Sequence, residues 1–149
     1  LIGINSPLKD YHMCYKLNKE LGTSLYRSRL DVSMDFFEGI EKGQFSLYEY
    51  WDKQYENQWY LLSNKCQIIC DEGLQNEGTI FDGFIQNTKK TKYLIPENSK
   101  VDFYLQIHGI FSENAKLEII KNINKLNRVV SAYEICINEI ASKENLIIK

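Results

Sequence analysis

The 149-residue chain carries 18 basic and 20 acidic side chains, a formal net charge of −2, with 44% hydrophobic and 26% charged residues. That length and balance fit a single domain spanning 1–149, able to bury a core without a metal or disulfide staple. They argue against a general nucleic-acid binder, whose affinity draws on an excess of Lys and Arg.

Leu1-Ile2-Gly3-Ile4 reads as a buried strand. Ser6 and Pro7 then suit a helix start, the serine as a cap and the proline because its missing N–H needs no partner there. Leu8, Tyr11, Cys14, Tyr15, Leu17 and Leu21 recur at spacings of three and four, which predicts a helix over 7–21 ended by Gly22. Leu30 to Phe36 alternates as an extended stretch.

Two aromatic runs follow, Phe45–Trp51 and Gln58–Cys66, separated by polar Asp52–Asn57. They predict an antiparallel hairpin, with the second strand reaching Ile69. Residues 71–92 carry Gly73, Gly78 and Gly83 and read as a loop or insertion with short strands at 79–81 and 83–85. The basic run Lys89–Lys92 inside it reads as a solvated loop tip.

Val101–Phe111 alternates cleanly and predicts the strongest strand. Ser112 opens a second helix whose stripe is Leu117, Ile119, Ile120, Ile123 and Leu126. Ala132–Ile140 reads as a last strand, and 142–149 as a short tail. The order predicts an α+β fold, a mainly antiparallel sheet with two helices on one face, as a ferredoxin-like variant with extra strands.

Few residues invite catalysis. Cys14, Cys66, Cys70 and Cys136 form no CxxC, and Cys66 and Cys70 alone leave a zinc site incomplete. No metal or cofactor is expected. His12 and His108 read as surface residues, and Glu97 with Asp102 as turn and strand-end groups rather than an acid–base pair. GxSxG, HExxH, GxxxxGK[ST] and GxGxxG are all absent. The longest apolar runs fall far short of a membrane span and no signal peptide opens the chain, so a cytoplasmic setting with reduced thiols is expected.

The stretch Leu94-Ile95-Pro96-Glu97-Asn98-Ser99-Lys100-Val101-Asp102-Phe103 resembles the signature of the IPExxxVDY family of Bacteroidota. Ile95, Pro96, Glu97, Val101 and Asp102 match it residue for residue, while Phe103 replaces the tyrosine and lacks its hydroxyl. Leu1–Ile4 with Leu8–Tyr11, and Ser142–Leu146, are similar to the same family. The resemblance implies a small bacterial protein of unassigned function and supplies no catalytic residue. Read physically, the signature is a structural lock: Pro96 holds Ile95 extended, Glu97 accepts from the turn, and Asp102 pairs with a cation, Lys9 or Lys143.

Ten tyrosines, seven phenylalanines and two tryptophans suit core packing and interfaces alike. The leading expectation is a non-enzymatic protein–protein interaction or regulatory domain, with Tyr48, Tyr50, Trp51, Trp59 and Tyr60 as interface anchors. The alternatives are a small-ligand sensor using a helix–sheet cleft, and an RNA-associated factor stacking bases on sheet aromatics.

Overall fold

A computed structural model of the protein describes residues 1–36, 41–71, 87–109 and 112–148. In chain order it contains β1 (Ile2–Asn5), α1 (Asp10–Leu21), β2 (Tyr26–Arg27), β3 (Val32–Phe36), β4 (Glu41–Phe45) and β5 (Leu47–Asp52). Then come β6 (Asn57–Ser63), β7 (Lys65–Asp71), β8 (Asn87–Tyr93), β9 (Phe103–His108), α2 (Glu113–Asn124) and β10 (Ser131–Glu134). Short 3-10 turns lie at Pro96–Asn98, Ile137–Glu139 and Lys143–Leu146.

Six strands form an antiparallel sheet in the order β10-β1-β9-β6-β5-β2. Taking β1, β6, β9 and β10 as first to fourth, the sheet reads fourth, first, third, second. α1 follows the first and α2 joins the third to the fourth. This is the split arrangement of ferredoxin-like folds, extended along one edge by β5 and β2. Two further antiparallel pairs, β3–β4 and β7–β8, stand outside it.

Strand alternation assigns each side chain a face. Ile4, Leu61 and Leu105 point to the helices and meet Met13 and Leu17 of α1 and Ile123 of α2, all fully buried. Leu62 and Tyr104 point the other way and pack with Phe45 of β4, Leu94, Ile95 and Val101. The sheet thus separates two cores, and burying each aliphatic side chain contributes roughly 1.5–3 kcal/mol.

Several boundaries move from where the periodicity placed them. The run Phe45–Trp51 breaks at Ser46, whose carbonyl accepts from the Ser63 N–H at 3.0 Å. The run Gln58–Cys66 breaks at Asn64, sending β6 and β7 into different sheets. A run that is apolar on both faces is packed on both sides, so hydrophobicity alone does not mark the corner. Lys89–Lys92 is not a loop tip; it lies in β8, with Lys92 2.9 Å from Glu41. The short strands expected at 79–81 and 83–85 fall outside the described residues.

The first helix begins at Asp10 rather than Pro7, since Lys9 is still extended at φ −72° and ψ 154°; the Ser6 hydroxyl accepts from the Leu8 N–H at 3.3 Å and donates to the Arg128 carbonyl at 2.8 Å. Gly22 ends it in the left-handed region at φ 66°. Ser112 caps α2 by accepting from the Ala115 N–H at 3.2 Å. Within the expected helix stripes, Tyr11, Tyr15 and Leu117 are exposed instead. The last strand stops at Glu134, where the chain turns into 3-10 geometry.

Candidate functional site

The segments carrying the signature meet in space. Asp102 Oδ2 accepts from the Ser6 N–H at 2.7 Å, which ties it to the start of the chain. Its Oδ1 pairs with Lys65 Nζ at 2.5 Å. The cation is therefore Lys65, neither Lys9 nor Lys143. Lys9 precedes α1 and lines the neighbouring cleft, and Lys143 opens the last 3-10 turn. Glu97 reaches the C-terminal segment, accepting from the Ser142 N–H at 2.7 Å and Ser142 Oγ at 3.1 Å. Those bonds hold its carboxyl below the usual carboxylate range. Asn145 Nδ2 donates to the Leu94 carbonyl at 2.9 Å.

A residue outside the signature organises this corner. Asn64 is wholly buried. Its Oδ1 accepts from the Ile95 N–H at 2.8 Å, and its Nδ2 donates to the carbonyls of Asn98 and Val101 at 3.0 and 2.8 Å. Pro96 starts the 3-10 turn this amide grips, and Ile95 and Val101 fill the second core. Asparagine between two apolar runs was the one available sequence signal. Phe103 is buried on the helix side, where an added hydroxyl would need a partner of its own.

Glu97 and Asp102 thus engage different partners. His12 stacks beside Tyr11 on α1, with ring centroids 4.3 Å apart, while His108 lies on the sheet face away from the helices. The two imidazoles therefore occupy opposite sides of the sheet. Among the described residues no group of three or more His, Cys, Asp and Glu is placed to hold a metal ion. None of the described helices is long and apolar enough to cross a membrane.

The five aromatics of the hairpin divide between the two faces. Tyr48 and Trp59 are buried, 6% and 5% exposed, and with Tyr50 they pack in the helix-side core. Tyr48 and Trp59 therefore present little surface to a partner, while Tyr50 is only partly buried beside them. Burial pushes the Tyr48 hydroxyl up to about 12, with Asp10 reinforcing the shift. Trp51 and Tyr60 face the other way.

Register extends that second set. Tyr26, Glu49, Tyr60 and Gln106 lie in one row across β2, β5, β6 and β9. Trp51, Gln58 and His108 form the next row. The second core covers the row of Leu47, Leu62 and Tyr104 on this face, whereas Tyr26 is 59% and Trp51 49% exposed. Tyr60 and His108 meet edge to face at 5.8 Å. Tyr26 escaped the sequence reading because a two-residue edge strand leaves no periodic trace.

Two clefts flank these features. A polar one of about 570 Å³ beside Asp102 contains Lys9, Arg27 and Lys65 against Asp10, Asp31 and Asp102. Arg27 pairs with Asp31 at 2.6 Å and Lys65 with Asp102, so its charges are largely matched internally. The other, of about 510 Å³, lies on the helix side between α1, α2 and the β5–β6 turn.

No family model matches the chain, and no curated protein or solved structure matches it.

Proposed function

We propose that the protein is a non-enzymatic interaction domain that docks a polypeptide partner on the open end of its sheet. The supporting observation is the platform of Tyr26, Trp51, Tyr60 and His108 on the face away from the helices, with Tyr26 and Trp51 both exposed. Tyr and Trp supply large rigid contact area at low entropic cost, and such anchors dominate interface energetics. Glu49 and Gln58 intersperse the rings with hydrogen-bonding groups suited to a peptide backbone, while Gln106 is buried and donates to the Leu146 carbonyl. No Lys or Arg stands in either row, which favours a protein over a phosphate backbone.

The lock at Asn64, Glu97 and Asp102 fits a supporting role, holding the turns that build the second core beside the platform. Because Leu1–Tyr11, Leu94–Phe103 and Ser142–Leu146 are hydrogen-bonded together, we keep membership of the IPExxxVDY family as part of this proposal. The free thiols of Cys14, Cys66 and Cys136 support a reducing, cytoplasmic setting.

The test is affinity capture of the tagged full chain from its own host, in parallel with Trp51→Ala and Tyr26→Ala, each checked for folding. A nuclease-resistant protein that is lost with both variants supports the reading. Capture unaffected by either substitution overturns it, and capture abolished by nuclease transfers the platform to RNA.

A further inference from the structure

We infer that the helix-side cleft is a binding site for a small organic cation with an apolar body, of the arylalkyl- or alkylammonium class. It lies on the opposite face of the sheet from Trp51 and Tyr26 and is independent of the proposed docking surface.

The cleft's volume of about 510 Å³ falls in the range of small-molecule sites. Its apolar walls come from three elements: Leu21 at the end of α1, Trp59 of β6 and Ile119 of α2, with Tyr55 on the turn. These surfaces would desolvate a ring or short alkyl chain.

The charge is of one sign. Glu20, Asp52 and Glu118 line the cleft, and among the described lining residues there is no Lys, Arg or His. Asp52 is held in place by the turn, its Oδ1 accepting from the N–H groups of Gln54 and Tyr55 at 2.9 and 3.3 Å. The C-terminal end of α1, at Leu21–Gly22, also opens here, and its carbonyls carry partial negative charge. The opposing end of α2 is already capped by Ser112 and followed by Glu113, so it offers little to an anion.

Asn57 also lines the cleft, but its Oδ1 is turned onto Gly109, where a Cβ would collide with it, so the acceptors open to a ligand are the carboxylates and the helix-end carbonyls. The complementary ligand is rich in N–H donors and positively charged, and an aromatic wall beside it suits the same charge.

Trp59 reports on this cleft directly. In a Trp51→Phe chain it is the sole tryptophan, and its emission is titrated with phenethylammonium, with phenylpropionate and 2-phenylethanol as anionic and neutral counterparts. Isothermal calorimetry on the unaltered chain provides a second reading. The expected result is saturable binding of the ammonium that weakens with salt, with no binding of the carboxylate. Glu118→Gln, on the exposed side of a helix, should fold normally and weaken the ammonium about 5–10-fold. Absence of saturation by the ammonium, equal binding of the carboxylate, or an unchanged affinity in Glu118→Gln would each overturn the assignment.

Discussion

The Glu97 carboxylate receives both the backbone N–H and the hydroxyl of Ser142, at 2.7 and 3.1 Å, across 45 residues of chain. The bond clamps the C-terminal segment to the turn that begins at Pro96. Because the site is exposed, Glu97→Gln should cost only about 0.5–1 kcal/mol at neutral pH. The sign of the pH effect follows from the lowered folded-state value. The carboxylate's contribution is full above its unfolded value, near 4.3, and is lost as pH falls through the depressed folded value. Urea denaturation between neutral pH and acid should show the wild type losing more stability than Glu97→Gln, and parallel curves would refute the clamp.

Asn64→Ala should be far more damaging. It removes an acceptor from the buried Ile95 N–H and a donor from two carbonyls. Unpaired buried groups cost about 1–3 kcal/mol each, so a loss of about 3 kcal/mol is expected by equilibrium denaturation. Hydrogen exchange at the Ile95 amide should accelerate in step with it.

Asp102 distinguishes its partners by mutation. Lys65→Met should cost less than about 1 kcal/mol, as befits a partly exposed ion pair. Asp102→Ala should cost about 2 kcal/mol, because the Ser6 N–H also loses its acceptor. Lys9→Met and Lys143→Met should leave stability within about 0.5 kcal/mol of wild type. A double-mutant cycle that couples Asp102 to Lys9 more strongly than to Lys65 would contradict the geometry.

The two tryptophans should behave oppositely. Trp59→Ala empties a position that is 5% exposed and should cost about 3–5 kcal/mol. Trp51→Ala, at 49% exposure, should shift stability by no more than about 0.5 kcal/mol. In single-tryptophan chains, iodide should quench Trp51 readily and Trp59 weakly.

Much of this architecture was readable from local pattern. Leu8 to Leu21 carries a helical period, Val101 to His108 a strand period, and Gly22 and Ser112 mark helix ends through their own backbone chemistry. The α+β class follows from those signals. What local pattern could not carry was sidedness. Tyr48 and Trp51 stand in the same strand, yet one is under the helices and the other faces away from them. Alternation alone separates the two, but which of them lies under the helices emerges only from the registration of β5 against β6, and β6 against β9. The partner of Asp102 was hidden for the same reason, because Lys65 reaches it across a corner created by Asn64. The cleft walls come from three separated stretches, so no spacing along the chain announces them.

The position of β1 also bears on how the protein comes to be folded. Its neighbours are β9 and β10, with Ile2 opposite Leu105 on one side and Glu134 on the other. A nascent chain therefore holds its first strand unpaired in the main sheet until more than a hundred residues have followed it. Pairings of that sequence separation slow folding, because loop closure must precede the contacts that reward it. The hairpin β5–β6, joined by a short turn, is the natural early structure. Insertion of β1 between β9 and β10 would then complete the sheet, making the time before synthesis reaches β10 the period of greatest exposure to misfolding.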